Sequence, residues 1–325
     1  MRCSLILVTV LLALMQGCAG PTVSPTDQTA IDQANKLHGA LAPAVVEDRN
    51  PRLKRYFEQL GARITTAAQA LDKLGQLHAE GDGNGTAPGA GSNDWMFARD
   101  ISFHLVSSPL PNSFTAGGRH IYIYTGLFQE CQNEDELASV FCREYAHLYL
   151  RHVGRSIRRD QLPNQDGDTP VIYPFANLRY PAPFARAADA VAFPIYMKAG
   201  WDPTRFASVY QRIIESGSTD AIDRALLTSR VADAQRRTDA LPAEAREWAQ
   251  PSVADEARFT QLRTETRSLV DALPPAPRSE LLLATFPSAL SPADTPSQIS
   301  ARQRLFPPPP APSTENKWGK GLPGR

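Results

Sequence analysis

The chain has 325 residues, of which 42% are hydrophobic and 21% are charged. This length is sufficient for one sizeable hydrophobic core. The 34 Lys and Arg residues are balanced by 34 Asp and Glu residues, so the chain lacks the basic excess that is typical of proteins that bind a phosphate backbone. We therefore expect no nucleic acid partner.

The N-terminus has the features of an export signal. Arg2 precedes the apolar run LILVTVLLALM (residues 5–15), which is too short to span a bilayer. The sequence LMQGC, which ends at Cys18, resembles a bacterial lipoprotein box, in which cleavage before the cysteine leaves a thiol that becomes lipidated. We predict a signal peptide at residues 1–17, a lipid anchor at Cys18 and a location on the periplasmic face of the outer membrane. An ordinary signal peptide cleaved near Ala19 is the alternative.

Composition divides the rest of the chain into a tether, a domain and a tail. Residues 18–44 are expected to form the tether, because their first part is polar and rich in turn residues. Residues 45–272 are predicted to form one domain, interrupted by a flexible Gly-rich loop at 78–94. Residues 273–325 are rich in proline and are expected to be extended and mostly disordered.

Within the domain, helical patterns dominate and strand patterns are few. The sequence from Asn50 to Leu77 has apolar residues at spacings of three and four, which predicts an amphipathic helix. The segments ISFHLVSS (101–108) and RHIYIYTG (119–126) alternate as strands do, and turn residues lie between them. They predict a hairpin-like sheet segment. The fold class is therefore predicted to be α+β and mainly helical.

Two later helices carry the candidate site. The first is expected to begin near Asn133, with Glu136 as its capping partner, and to run to about Arg151. The second is expected within PFARAADAVAFPIYMKAGWDP (183–203), where Pro194 is liable to kink it.

The first of these helices contains the sequence REYAH (143–147), which differs by one residue from a zinc-binding pattern. In His-Glu-x-x-His, the two histidines hold zinc and the glutamate activates water. Glu144 and His147 match, but Arg143 occupies the first ligand position, and a guanidinium group has no free lone pair. On a helix, His147 and His152 point about 140° apart, so these two alone are not expected to form a site.

Three segments, in the same order, resemble those of metallopeptidase family 48, the HtpX-type zinc peptidases that include bacterial envelope lipoproteins. They are PNSFTAGGRHIYIYTGLF (111–128), NEDELASVFCREYAHLYLRH (133–152) and YPAPFARAADAVAFPIYMKAGWDP (180–203). The segment LLTSRVADAQRR (226–237) resembles a later family segment, with Ser229 where a histidine is expected. The resemblance implies a gluzincin-like fold with a small sheet beside the active-site helix.

The resemblance also implies which residues would stand at the zinc site. The third ligand of the family is a glutamate four residues before Asp189, and this chain has Ala185 there. Arg143 and Ala185 cannot bind a metal, so only His147 matches, and Glu144 at the general-base position is expected to be idle. The resemblance implies that Asp189 orients His147; the alternative is that Asp189 is a helix cap or an ion-pair partner.

Our leading interpretation is a lipoprotein that has lost zinc and catalysis, with no cofactor, and that binds envelope polypeptides in its groove. The family resemblance suggests that the aromatic strand before the site helix is an edge that pairs with an extended peptide. Arg143 is hypothesised to form an ion pair with Glu144 or Asp189; an exposed arginine is the alternative. Two other functions are open: an active zinc metalloendopeptidase with Asp189 or His152 as a substitute ligand, and a purely structural lipoprotein.

Overall fold

A computed structural model of the chain describes residues 23–77, 93–98, 100–108, 111–115, 117–152, 182–216, 221–242 and 252–271. The predicted signal peptide, Cys18, the proline-rich tail and residues 78–92 of the predicted loop lie outside the described residues. Among those described, no helix is both long and apolar enough to cross a membrane. The described part is mainly helical with one small sheet, which confirms the predicted α+β class.

The helices and strands are numbered in chain order. The helices are α1 (Pro25–Leu41), α2 (Pro51–Lys73), α3 (Thr125–Glu130), α4 (Glu134–Tyr149), α5 (Ala182–Lys198), α6 (Ser208–Glu215), α7 (Ala221–Asp239) and α8 (Glu256–Asp271). The strands are β1 (Ser102–Val106), β2 (Ser113–Thr115) and β3 (His120–Tyr124). Short 3-10 turns lie at Ala42–Ala44, Glu47–Arg49, Asp94–Phe97 and Pro203–Arg205.

The sheet has the strand order β1-β3-β2. β1 and β3 are parallel, with Phe103 beside Ile121, whereas β2 is antiparallel to β3, with Phe114 opposite Tyr122. The predicted hairpin was therefore wrong, because the connection between the two strands itself contains β2, which turns back into β3. The aromatic strand β3 is central rather than an edge, and within the described residues β2 is an edge of the sheet.

Alternation along the strands gives the sheet two different faces. The inner face packs against the main core, which includes α2 and α4; its members are Phe103, Leu105, Ile121 and Ile123. The outer face carries Val106, Phe114, Tyr122 and Tyr124, which pack against Ala34, Leu37 and Leu41 of α1. The two faces thus contact different helices.

Helix α1 occupies residues that we expected to belong to the flexible tether. The Ser24 hydroxyl caps it by accepting a hydrogen bond from the Asp27 backbone N–H at 3.1 Å, and Pro25 is its first residue. A Cβ atom at Gly118 would collide with Ala34, so glycine permits the close approach of α1 to the sheet. Arg151 also holds α1, through two hydrogen bonds of 2.8 and 3.1 Å to Asp27.

Helix α4 is buried along its whole length and packs against α5. Its predicted N-cap is confirmed: Asn133 Oδ1 accepts a hydrogen bond of 2.9 Å from the backbone N–H of Glu136. The helix ends at Tyr149, and Arg151 has a φ of 54°, in the left-handed region that non-glycine residues adopt rarely. The chain therefore turns back at Arg151 instead of continuing the helix.

Candidate functional site

Arg143 lies in the interior, between α4, α5 and α6. Its side chain is 1% exposed, and its Nε donates a hydrogen bond to Asp189 Oδ1 on α5. Its guanidinium carbon lies 4.2 Å from the ring centroid of Tyr210 and 5.4 Å from that of Phe206. The hypothesised ion pair with Asp189 is confirmed, and the alternative of an exposed arginine is wrong. Of the roles open for Asp189, the structure shows the ion pair.

The surroundings keep Arg143 charged. Burial acts against the charge, but the Asp189 carboxylate, followed by Tyr210, raises the pKa of Arg143 above its ordinary value. The faces of Tyr210 and Phe206 add a favourable cation–π contribution at this buried position. Arg143 is therefore a permanent cation at the first ligand position of the zinc pattern.

Glu144 faces the sheet from the next position of α4. Its Oε1 accepts a hydrogen bond of 2.8 Å from the hydroxyl of Ser113 on β2, and its Oε2 has no hydrogen-bond partner among the described residues. Burial raises the pKa of Glu144 to about 7, although the Ser113 hydroxyl, Arg230 and Arg143 act in the opposite direction. This carboxyl group therefore changes its charge near neutral pH.

His147 is brought together with His152, contrary to our prediction. Their Nδ1 atoms are 2.8 Å apart, both residues are buried, and the ring of His152 lies edge-on to Phe184 at 4.7 Å. The prediction assumed a helix that continues past residue 151, whereas the left-handed Arg151 folds the chain back. Burial, and then the neighbouring cationic groups, lower the pKa of His147 well below its ordinary value, which keeps its imidazole neutral.

The residues at the expected zinc-ligand positions do not fit a metal ion. Ala185 is buried on α5 and offers only a methyl group, and Arg143 presents a cation that Asp189 already neutralises. His147 is one suitable donor, whereas a protein zinc site needs at least three. We therefore derive no metal-dependent step at this position.

Sequence reasoning missed one charged residue of the site, Arg230 on α7. Its guanidinium carbon lies 5.9 Å from the Tyr210 ring centroid, and its charge lowers the pKa values of Glu144 and His147. The sequence analysis considered the preceding residue, Ser229, whose side chain is exposed in the structure. Arg230 could have been identified in the sequence, because it is a charged residue directly after the position where a histidine is expected.

A second group of side chains, on the outer face of the sheet, is able to hold a metal. We call His38, His104 and His120 the histidine triad; each offers a ring nitrogen, and these atoms lie within 4.8 Å of one another. His104 and His120 belong to β1 and β3, and His38 belongs to α1. The sequence analysis did not identify this group, because its members are far apart along the chain.

Residues 95–166 match the family model of peptidase family M48, whose members are zinc metallopeptidases. The chain is similar to the beta-barrel assembly-enhancing protease of Yersinia pestis, at 26% identity over 144 residues that cover 44% of this chain and 24% of the relative. It is also similar to the protein of that name from Escherichia coli O157:H7, at 22% identity over 253 residues (68% and 46%). Mitochondrial metalloendopeptidase OMA1 of Schizosaccharomyces pombe is 35% identical over 54 residues (17% and 16%).

The matched part contains α4 and the sheet, and so both the Arg143 position and two members of the histidine triad. The chain spans less than half of the length of these curated relatives. The described fold, mainly helical with a three-stranded sheet, agrees with that of the family. Residues 95–166 of the chain are therefore similar to peptidase family M48, as the resemblance implied.

Proposed function

We propose that this chain is an exported lipoprotein, anchored through Cys18 at the periplasmic face of the outer membrane, whose M48 domain binds extended polypeptides without hydrolysing them. The observation that carries the loss of hydrolysis is the buried ion pair between Arg143 and Asp189. A covalently attached cation stands where the family places a ligand of its zinc ion.

Electrostatics supports this proposal. The guanidinium group of Arg143 repels a divalent cation, and a metal ion at this position would also have to compete with Arg143 for the Asp189 carboxylate. Ala185 removes a further ligand. Without a metal to lower the pKa of a bound water molecule towards ~7, Glu144 has no activated water to deprotonate.

The edge strand β2 supports peptide binding beside this site. Tyr124 N donates to Asn112 O at 2.9 Å, so by the alternation of an antiparallel pair Phe114 also bonds to β3 and the Thr115 N–H points to the outer edge. Ser113 connects this edge to Glu144. An extended peptide could add a strand here through backbone hydrogen bonds, which need no metal. Because two relatives are named for β-barrel assembly, we choose unfolded β-barrel polypeptides as the ligand class.

Peptide binding at this edge is tested with two substitutions of one residue. Thr115→Pro removes the outward N–H, and Thr115→Val removes the hydroxyl but keeps that donor. With a fluorescent β-strand peptide from an unfolded β-barrel protein, we expect Thr115→Pro to bind at least ~10-fold more weakly, which corresponds to about one lost hydrogen bond. Thr115→Val should bind like the wild type. Equal affinities of Thr115→Pro and the wild type would contradict edge pairing.

The loss of catalysis is tested by restoring the ligands. The pair Arg143→His with Ala185→Glu should bind about one equivalent of zinc more than the wild type, because three ligands are then present. Each single substitution is the matched control and should gain none. The wild type should leave an unfolded polypeptide intact; cleavage that requires His147 would overturn the proposal.

A second candidate, an active zinc metalloendopeptidase with a non-standard site, is favoured by one observation. His147 and His152 lie 2.8 Å apart and Glu144 is on the same helix, so a pair of imidazoles is available near the general-base position. This candidate predicts cleavage by the wild type that is abolished by His152→Ala. A wild type without cleavage activity excludes it.

A further inference from the structure

The histidine triad lies on the sheet face opposite α4. The ring centroid of His38 is 4.3 Å from that of His104 and 4.3 Å from that of His120, and the last two are 5.1 Å apart. Three elements that are distant in the sequence, α1, β1 and β3, each contribute one imidazole. The group is therefore created by the tertiary fold and not by a local motif.

Hydrogen bonding fixes the tautomer of His104. Its Nδ1 lies 2.7 Å from Glu47 Oε1, and the other carboxylate oxygen accepts a bond of 2.9 Å from the backbone N–H of Leu105. Because a carboxylate accepts hydrogen bonds, Nδ1 carries the proton and Nε2 presents a lone pair. A carboxylate behind a histidine is the usual support of a metal-binding imidazole.

The tautomer of His120 follows in the same way. Its Nε2 lies 2.9 Å from the amide oxygen of Asn35, so this nitrogen donates and Nδ1 presents a lone pair. That lone pair faces His104 Nε2 at 2.9 Å. Two facing lone pairs repel each other, and a cation that binds both nitrogens removes this repulsion.

We propose that the histidine triad is a binding site for a divalent transition metal, namely Zn²⁺, with His104 Nε2, His120 Nδ1 and one nitrogen of His38 as ligands. Imidazole nitrogen suits zinc, and three histidines with one water molecule complete a tetrahedral site. The ring of His38 is stacked on that of His120, with 5° between their planes. It has to turn about its Cβ–Cγ bond to direct its lone pair at the ion, and this torsion is broad for histidine.

The role of this ion is structural. It joins α1 to the sheet and closes the long chain segment between His38 and His104, so that binding the ion stabilises the folded state. The site is independent of the Arg143 position, because α4 packs on the inner face of the sheet and α1 on the outer.

Zinc titration of the full-length chain without a histidine tag tests the site. Isothermal calorimetry and metal analysis should give one equivalent for the wild type. His38→Asn, His104→Gln and His120→Asn should each lower the affinity at least ~100-fold, and Glu47→Gln about 10–100-fold. The matched controls are His147→Asn and His152→Asn, which change the other described histidine pair and should leave zinc binding unchanged.

Two measurements keep the test decisive if a triad variant folds poorly. X-ray absorption on the zinc-loaded wild type, which needs no substitution, should show three imidazole ligands. Zinc should also raise the melting temperature of the wild type and of His147→Asn, but not of the triad variants. Absence of stoichiometric binding, a count of one or two imidazoles, or loss of binding in His147→Asn alone would overturn the site.

Discussion

The two sides of the small sheet differ in the charge of their buried basic side chains. On the inner side, helix α4 carries Arg143, a permanent cation that the buried carboxylate of Asp189 neutralises. On the outer face, the buried carboxylate of Glu47 orients His104, and burial keeps neighbouring imidazoles neutral. The same kind of carboxylate thus supports a fixed cation in one place and neutral metal ligands in the other. One domain can therefore hold a fixed cation on one side of its sheet and metal-binding side chains on the other.

The largest expected effect comes from removing the fixed cation. Arg143→Ala leaves Asp189 buried without its partner, and breaking a buried pair in this way costs about 3–5 kcal/mol of the free energy of unfolding. Urea unfolding, followed by circular dichroism, measures this loss. The double substitution Arg143→Met with Asp189→Leu removes both charges and should recover most of it, because apolar residues often replace a buried pair at little cost.

This pair of results separates an ion pair from simple packing. If Arg143→Ala and the double variant were equally unstable, the packing of the arginine side chain, and not its charge, would account for its contribution to stability. If Arg143→Ala cost less than about 1 kcal/mol, the ion pair would be as weak as an exposed one.

The second effect is a pH dependence of stability that arises from Glu144. Its pKa is about 7 in the folded state and about 4.3 in an unfolded chain, so the folded state binds more protons between these values. The free energy of unfolding therefore falls as the pH rises through this window, by about 3 kcal/mol from this group between pH 5 and pH 8. Glu144→Gln cannot titrate, so its stability relative to the wild type should increase by that amount between pH 5 and pH 8.

Unfolding curves of the wild type and of Glu144→Gln across this pH range provide the measurement. Contributions to stability from groups that titrate alike in the two proteins cancel in the difference between them. Glu58→Gln, at an exposed position of α2, is the matched control for the removal of one carboxylate. Parallel curves for the wild type and Glu144→Gln would show that the pKa of Glu144 is not raised in the folded state.

The smallest effect concerns Arg230, the second arginine near Glu144. The charge of Arg230 lowers the pKa of Glu144, so Arg230→Gln should move the midpoint of the preceding pH profile to higher pH. For a partly exposed charge we expect about 0.2–1 kcal/mol. Arg236→Gln, an exposed arginine of the same helix, should leave the midpoint unchanged. An unchanged midpoint in Arg230→Gln would remove Arg230 from the site.

Local patterns allowed much of the fold to be predicted. The cap at Asn133, the apolar stripe of α2 and the strand alternation around β1 and β3 depend on neighbours within a few residues, and these predictions were confirmed. Helix α1 was missed because it is mostly polar, although Ile31, Ala34, Leu37 and Leu41 recur at helical spacing.

Features that depend on distant contacts could not be read from the sequence. The parallel pairing of β1 with β3 requires the chain to pass to β2, on the far side of β3, before it returns as β3, and no local signal gives that path. The contact of His147 with His152 depends on the left-handed backbone of Arg151, which sequence patterns do not predict for arginine. The histidine triad requires three elements to meet, so only the residue types, and not their proximity, were visible.

If Cys18 carries the proposed lipid, the docking of α1 limits how far the domain can move from the membrane. Helix α1 is held against the domain by Asp27 and by the close approach at Gly118. In the sequence, Cys18 to Ser24 come directly before this helix. Fully extended, that stretch reaches only about 20 Å. With a lipid at Cys18, the linker between the lipid and the domain would be short. It would then reach chains that are emerging at the bilayer surface, and not chains in the middle of the periplasm.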